Sequence, residues 1–211
     1  MSDININLEA GTSKKLLTAG KYCTQNILVS ASDNSAELAA AFITNEIDIT
    51  SLPSGITKIP DYKFYYARNL KSVTQLPDTI TSIGTRAFES SNISLTALPA
   101  NLTTLGNSAF ANCYDVNLTA LPSGLTSIGN SCFQYTGIVN LTVPAGISID
   151  YYAFMNSQLA TLTFAGKPSN INGAALGYTT GVVINCPWAE GEVAGAPWGA
   201  KDAIINYNYQ G

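Results

Sequence analysis

The sequence predicts a mainly β solenoid of about five coils, with one parallel strand per coil and a cap at each end. One phrase recurs at a nearly constant interval, a short apolar segment precedes each copy, and a proline follows most of these segments. Only 11% of the residues are charged, under half of the roughly 25% found in soluble domains. Neutral polar side chains must therefore cover most of the surface.

The recurring phrase starts with Leu-Pro or Val-Pro and ends at a phenylalanine. Successive copies start 24, 22, 23 and 22 residues apart. This interval lies inside the window of about 20 to 29 residues that is typical of leucine-rich repeats. The five copies are LPSGITKIPDYKF from Leu52, LPDTITSIGTRAF from Leu76, LPANLTTLGNSAF from Leu98, LPSGLTSIGNSCF from Leu121 and VPAGISIDYYAF from Val143.

Each coil is predicted to contain one short strand. Apolar residues recur at steps of two or three between Thr, Ser and Asn, as on a strand with one buried face. A following proline lacks an N–H group and so ends the hydrogen-bonded ladder. The predicted strands are LKSVTQL (70–76), ISLTAL (93–98), VNLTAL (116–121), VNLTV (139–143) and LATLTF (159–164).

The phenylalanine of each phrase occupies an equivalent position, so stacked coils should place these rings in one column. Each ring is expected to pack against the next coil, because an isolated coil could not bury this face. The column residues are Phe64, Phe88, Phe110, Phe133 and Phe154.

The phrase T-x-I-G-x-x-A-F, together with the Leu-Pro that starts it, closely resembles the BspA-like leucine-rich repeats of bacterial proteins. The resemblance covers residues 52 to about 164. It implies a parallel β-solenoid with one strand per coil and a role in surface attachment or partner binding. Pro60 and Asp61 depart from the Ile-Gly pattern and the fifth copy is shorter, as expected for coils next to caps.

Three regions are predicted: a small β-module with a linker at 1–36, the solenoid at 37–165 with a partial coil at 37–51, and a C-terminal cap at 166–211. The phrase EAGTSKKLLTAGKYC resembles a segment near the start of prophage tail-region and fibre-like proteins of gut bacteria. In the cap, Trp188 and Trp198 each follow a proline. They are predicted to seal the last coil, and an aromatic ligand platform is the alternative.

Several residue types needed for catalysis are missing or scattered. Histidine, the most common metal ligand and general base, is absent. The four cysteines are far apart and are interpreted as buried apolar residues. They are Cys23, Cys113, Cys132 and Cys186. Glu46, Asp48 and Asp61 could act as paired carboxylates, but a solvated edge is the favoured interpretation. We therefore predict no enzymatic activity, no cofactor and no metal site.

Charge and hydropathy restrict the partners and the location. The formal charge is −4 and no basic patch is present, which disfavours nucleic acid. No basic segment precedes an apolar run at the N-terminus, and no apolar stretch approaches about 18 residues. We expect no signal peptide and no membrane insertion. The expected location is a virion or cell surface if the chain is exported within a larger assembly, and the cytoplasm otherwise.

Two features indicate where a partner could bind. Residues 90–149 contain one charged side chain, Asp115, so they offer neutral donors and acceptors, although β-propensity alone also explains their Thr and Ser. Seven tyrosines lie within four positions of a column phenylalanine, and partial burial beside the column is the alternative to partner contact. The candidate contact residues are Tyr62, Tyr65, Tyr66, Tyr114, Tyr135, Tyr151 and Tyr152.

These observations predict a non-enzymatic binding or adhesion module that presents a solenoid surface to a protein or carbohydrate partner. A phage tail component and a bacterial surface protein both fit this prediction. An architectural or self-assembling subunit is the alternative, because exposed parallel strands and low charge offer a route to oligomers.

Overall fold

The computed structural model describes residues 51–52 and 55–211, which form ten short strands and one turn of 3₁₀ helix at Arg68–Leu70. The predicted N-terminal β-module and nearly all of the preceding partial coil lie outside the described residues. The strands are β1 (Lys58–Ile59), β2 (Ser82–Ile83), β3 (Thr104–Leu105), β4 (Ser127–Ile128), β5 (Asn140–Val143), β6 (Ser148–Ile149), β7 (Thr161–Phe164), β8 (Asn170–Ile171), β9 (Val183–Cys186) and β10 (Ile204–Tyr207).

All pairings between these strands are parallel, and they connect equivalent positions of successive coils. The strand orders are β1-β2-β3, β4-β6-β8 and β10-β9-β7-β5. In the first sheet, Ile59 pairs with Ile83 and Ile83 pairs with Leu105, so the register repeats the sequence period. The predicted parallel β solenoid is confirmed, and it comprises about seven turns.

The position of the strands within a coil differs from the expectation. Strands form at the T-x-I part of the phrase, whereas segments 70–76, 93–98 and 116–121 contain no regular strand. Segments 139–143 and 159–164 do contain strands, β5 and β7, so the later coils have two strands and not one.

The reason lies in the spacing between the outward threonine and the proline. A single residue, Val143, separates Thr142 from Pro144, and β5 alternates exposed and buried side chains. Thr96 and Thr119 are each followed by an exposed alanine before the buried leucine. Two consecutive exposed residues break the period of two that a half-buried strand requires.

The core is one continuous cluster centred on the phenylalanine column. All five column phenylalanines are buried, and successive rings stack with centroids 5.1 to 5.8 Å apart and planes within 12° of parallel. The predicted column is therefore present in the structure.

The parallel stack continues through the region predicted as a cap. β8 pairs with β6, β9 pairs with β7, and β10 pairs with β9. Trp188 and Trp198 are buried, and both rings meet Phe164 edge-on, at 5.1 and 5.8 Å. Both indoles thus seal the last coils, as predicted.

Candidate binding surface

Each coil bends sharply around its column phenylalanine, and two positions in this bend have a left-handed backbone. The residues two before and two after each phenylalanine have φ between 51° and 58°. Backbone N–H groups in the bend donate to the next coil, as from Phe88 to the Ala109 carbonyl at 2.9 Å and from Ser90 to the Ala111 carbonyl at 2.8 Å. We call the surface formed by residues from three before to four after each column position the turn side.

The turn side carries all seven candidate tyrosines. Six of them are exposed, from 37% for Tyr135 to 64% for Tyr114, and Tyr152 is half-buried. Partial burial beside the column therefore describes Tyr152 better than the other six. The contact role of these residues stays a prediction.

Tyr62, Tyr65 and Tyr66 form an aromatic cluster at the first described coil. The ring centroids of Tyr65 and Tyr66 are 4.4 Å apart with planes at 83°, and the hydrogen bond with Tyr66 raises the pKa of Tyr65. The guanidinium carbon of Arg86 lies 5.9 Å from the ring centre of Tyr62, in cation–π range. Arg86 Nε also lies 3.4 Å from Glu89 Oε2. This cluster combines exposed aromatic area with one charge of each sign.

A second aromatic cluster lies at the last coils and lacks such a charged pair. The rings of Tyr151 and Tyr152 are 3.8 Å apart, and the Tyr151 hydroxyl donates to the Tyr152 hydroxyl at 2.9 Å. This hydrogen bond, desolvation and the neighbouring Tyr151 and Tyr178 all raise the pKa of Tyr152. Tyr178 is 70% exposed, and the residue before it, Gly177, lies against the Tyr152 ring, so Tyr178 belongs to the same cluster.

The sequence pattern does not identify Tyr178 as a candidate contact residue. Its coil has Leu176 at the column position, so the Ala-Phe signal is missing. The hydrogen bond from the Asn156 N–H to the Gly177 carbonyl shows that the coils remain in register there. The Leu-x-Tyr spacing, which matches Phe-x-Tyr at Tyr66 and Tyr135, was the available signal.

Tyrosine occurs at the left-handed positions more often than its backbone preference would predict. Bulky residues with positive φ are uncommon, whereas asparagine tolerates this backbone well, as at Asn112 and Asn156. Backbone preference does not account for these tyrosines, and neither does core packing for those that are exposed. The left-handed tyrosines are Tyr62, Tyr66, Tyr135, Tyr152 and Tyr178.

Comparison with known protein families agrees with this architecture. The BspA type leucine-rich repeat region matches residues 39–178 in six copies, which is 140 of the 211 residues. The chain belongs to the BspA-type leucine-rich repeat family. The match ends at residue 178, beyond the last of the five phrases recognised by sequence.

A solved structure similar to this BspA-type chain is that of a leucine-rich repeat protein from Bacteroides ovatus. The two share 12% sequence identity with a TM-score of 0.38, over 77% of this chain and 57% of the other. The chain therefore spans little more than half the length of that protein. No curated protein matches the sequence significantly.

The outward face of the four-stranded sheet is uncharged in this BspA-type chain. Thr142, Thr163, Asn185 and Asn206 lie side by side in the parallel register. The Asn206 amide donates to Asn185 Oδ1 at 2.8 Å, and the Asn185 amide donates to Thr163 Oγ1 at 3.1 Å. These hydrogen bonds form a polar ladder across the sheet.

The three described cysteines are buried, as predicted. Burial raises the pKa of the Cys113 thiol to about 12 and that of Cys186 to about 11, and it also raises the pKa of Cys132. The Cys113 thiol donates to the Phe88 carbonyl at 2.8 Å. Such thiols are poor nucleophiles near neutral pH, because the thiolate is the reactive form.

The candidate carboxylates do not form a described pair. Asp61 Oδ1 accepts a hydrogen bond from the Thr85 N–H at 2.7 Å, which joins two coils, while Glu46 and Asp48 lie outside the described residues. Within residues 51–52 and 55–211, no group of three or more Cys, Asp or Glu side chains could hold a metal ion. In the same part of the chain, no helix is long and apolar enough to cross a membrane.

Proposed function

We propose that this chain is a non-enzymatic binding module whose turn side contacts a protein partner. The observation that carries the proposal is the repeated use of exposed tyrosine at left-handed backbone positions, as at Tyr66, Tyr135 and Tyr178. Strained positions are retained where something other than stability selects them. Contact with a partner selects residues for binding and not for stability.

The composition of the first cluster favours a protein as the partner. Tyrosine and arginine are enriched among the residues that dominate binding energy at protein interfaces. Tyr62 and Tyr66 are about half exposed, and Arg86 lies beside them. Tyrosine also loses little conformational entropy on binding, because it has only two side-chain torsions.

A carbohydrate partner is the second candidate. It is favoured by the cluster at Tyr151, Tyr152 and Tyr178, where aromatic rings and a hydroxyl pair lie together without a charged pair. Neutral hydroxyl groups can donate and accept hydrogen bonds to a neutral ligand.

We also propose that the module is displayed on a phage particle or a bacterial surface, on the strength of the N-terminal phrase that resembles prophage tail-region proteins. Co-purification of the chain with virions would support the phage location. Its absence from virions, together with its presence in a cell-surface fraction, would favour the bacterial surface.

Arrays of purified extracellular host proteins and of glycans would test the binding proposal. The wild type should bind one or more proteins, and Tyr66→Ser with Tyr135→Ser should weaken that binding by about tenfold or more. The matched control is Thr96→Ala with Thr119→Ala, which changes two exposed residues outside the turn side. Unchanged binding in the tyrosine variant would overturn the turn-side assignment, and binding to glycans alone would overturn the protein partner.

A further inference from the structure

The last strand, β10, has one edge that pairs with no other described strand. β9 covers its other edge, with the Ile204 N–H donating to the Val182 carbonyl at 3.0 Å. Because backbone groups of successive residues point to opposite sides of a strand, the N–H and C=O of Ile205 and Tyr207 face the open edge. Ile204 is 60% exposed beside it.

Among residues 51–52 and 55–211, this edge lacks the features that normally keep sheet edges from pairing. Natural edge strands carry charged residues, prolines or bulges, or they are covered by another element. Residues 203–211 read AIINYNYQG and contain neither a charge nor a proline. The Asn208 and Tyr209 N–H groups donate to the Trp188 and Cys186 carbonyls, so this segment turns toward β9 and not over the edge.

We propose that β10 pairs in an antiparallel manner with β10 of a second copy of this chain, about a two-fold axis at Asn206. The four-stranded sheet then becomes one eight-stranded sheet across two chains. The contact is isologous, so both copies contribute the same surface. The tyrosines of the turn side take no part in it.

The polar ladder favours a second copy as the partner and sets the register. Asn206 is the end of the ladder through Asn185 to Thr163, and its Oδ1 accepts no hydrogen bond from the described residues. An identical Asn206 directly opposite supplies both a donor and an acceptor. The two ladders join into one that crosses the axis.

The same register satisfies the remaining groups of the edge. Ile205 of each copy faces Tyr207 of the other, and aromatic with β-branched pairs stabilise neighbouring strands. Both residues direct their backbone groups toward the partner, so each such pair exchanges two hydrogen bonds.

Charged residues next to β10 in the sequence do not oppose this contact. They are Lys201 and Asp202, before β10, while Glu190 lies near Tyr207 in the fold. In the proposed register, Asp202 of one chain lies opposite position 210 of the other chain. The two Asp202 residues are therefore eight residues apart along the strand direction, or about 26 Å at the usual rise per residue. That separation exceeds the Debye length of about 8 Å at physiological ionic strength, so repulsion is screened.

Light scattering on the full chain would test the pairing, with Ile205→Pro as the disrupting variant. Proline at 205 removes an N–H that points to the open edge and that no described hydrogen bond uses, and edge strands tolerate proline there. The wild type and the control Ile205→Val should have the mass of a dimer at high concentration, and Ile205→Pro should have that of one chain. A wild type that stays monomeric up to its solubility limit, or a dimer that survives the proline, would overturn the proposal.

Disulfide trapping gives an independent readout that does not rely on the proline variant folding. In a Cys23→Ser background, Asn206→Cys should form an intermolecular disulfide under mild oxidation, because opposed non-hydrogen-bonded residues have Cα atoms about 4.5 Å apart. The control Ile204→Cys points to the same face but would lie roughly 13 Å from its copy, and it should remain reduced. Equal cross-linking of the two variants would contradict the register, and none with Asn206→Cys would overturn the pairing.

Discussion

The ring of Phe110 lies parallel to that of Phe133, with 5.8 Å between the centroids and 1° between the planes. On its other side, Phe88 stacks at 5.3 Å and 3°. Phe110 is thus enclosed between two coils and has no exposed surface. Nearest-neighbour contacts of this kind contribute directly to the stability of a solenoid.

Phe110→Ala should destabilise the protein by about 3 to 5 kcal/mol, since it removes a buried ring from the middle of the column and leaves a cavity. Urea unfolding followed by circular dichroism would measure the change. Tyr114→Ala is the control, because Tyr114 is 64% exposed, and it should shift stability by less than about 0.5 kcal/mol. Similar losses for the two variants would contradict the enclosed column.

The glycine of the T-x-I-G phrase is required by the close approach of successive coils. A Cβ atom at Gly106 would lie 2.6 Å from the Gly84 carbonyl carbon and 2.8 Å from Thr85 Cα. Gly106→Ala should therefore destabilise the protein by about 1 to 3 kcal/mol, because backbone would have to move.

Gly173→Ala is the matched control in the same fold. No atom lies within 4 Å of a Cβ at that position, and its φ is not positive. The alanine should be neutral or stabilising by up to about 1 kcal/mol, through a less flexible unfolded chain. Melting temperatures of the two variants would separate these effects, and equal destabilisation would show that coil spacing is not the cause.

The repeat period and the phenylalanine column could be predicted from sequence because each depends on residues that recur in register. The sequence pattern misses the sixth coil because Leu176 replaces phenylalanine at the column position. Tyr178 is missed for the same reason. The left-handed backbone at Tyr66 could not be predicted, since tyrosine has no preference for it and the neighbouring coils impose it. The open edge of β10 depends on which strands pair, and residue types alone do not specify that.

Stability should fall in alkaline solution because of the buried thiols. Burial raises the pKa of Cys113 to about 12 from the ordinary value of 9.0. The folded state then holds a proton that the unfolded state releases. The contribution of the protonated Cys113 thiol to the free energy of unfolding is therefore complete below about pH 8.5, and it is lost as the pH rises toward the pKa of the folded state.

Replacement of that thiol should make the protein less sensitive to alkali. Between pH 8 and pH 10.5, the wild type should lose about 2 kcal/mol more unfolding free energy than Cys113→Ala loses. Unfolding of both proteins in urea at the two pH values would measure this difference. Tyrosine ionisation affects both proteins alike, so equal losses would mean that the Cys113 thiol does not carry the effect.

The two buried tryptophans should respond differently to replacement by phenylalanine. Trp198 Nε1 donates to the Ala194 carbonyl at 2.9 Å, whereas Trp188 Nε1 is buried and donates to no atom of the described residues. Both substitutions remove similar volume beside Phe164. Only Trp198→Phe also removes a hydrogen bond and leaves the Ala194 carbonyl without its donor.

Trp198→Phe should therefore destabilise the protein by about 1 to 3 kcal/mol more than Trp188→Phe, because it removes a hydrogen bond, whereas Trp188→Phe removes a buried donor that has no acceptor among the described residues. Each variant keeps one tryptophan, so its fluorescence reports unfolding in urea. A larger loss from Trp188→Phe would contradict this prediction and indicate that the Trp188 indole donates a stabilising hydrogen bond.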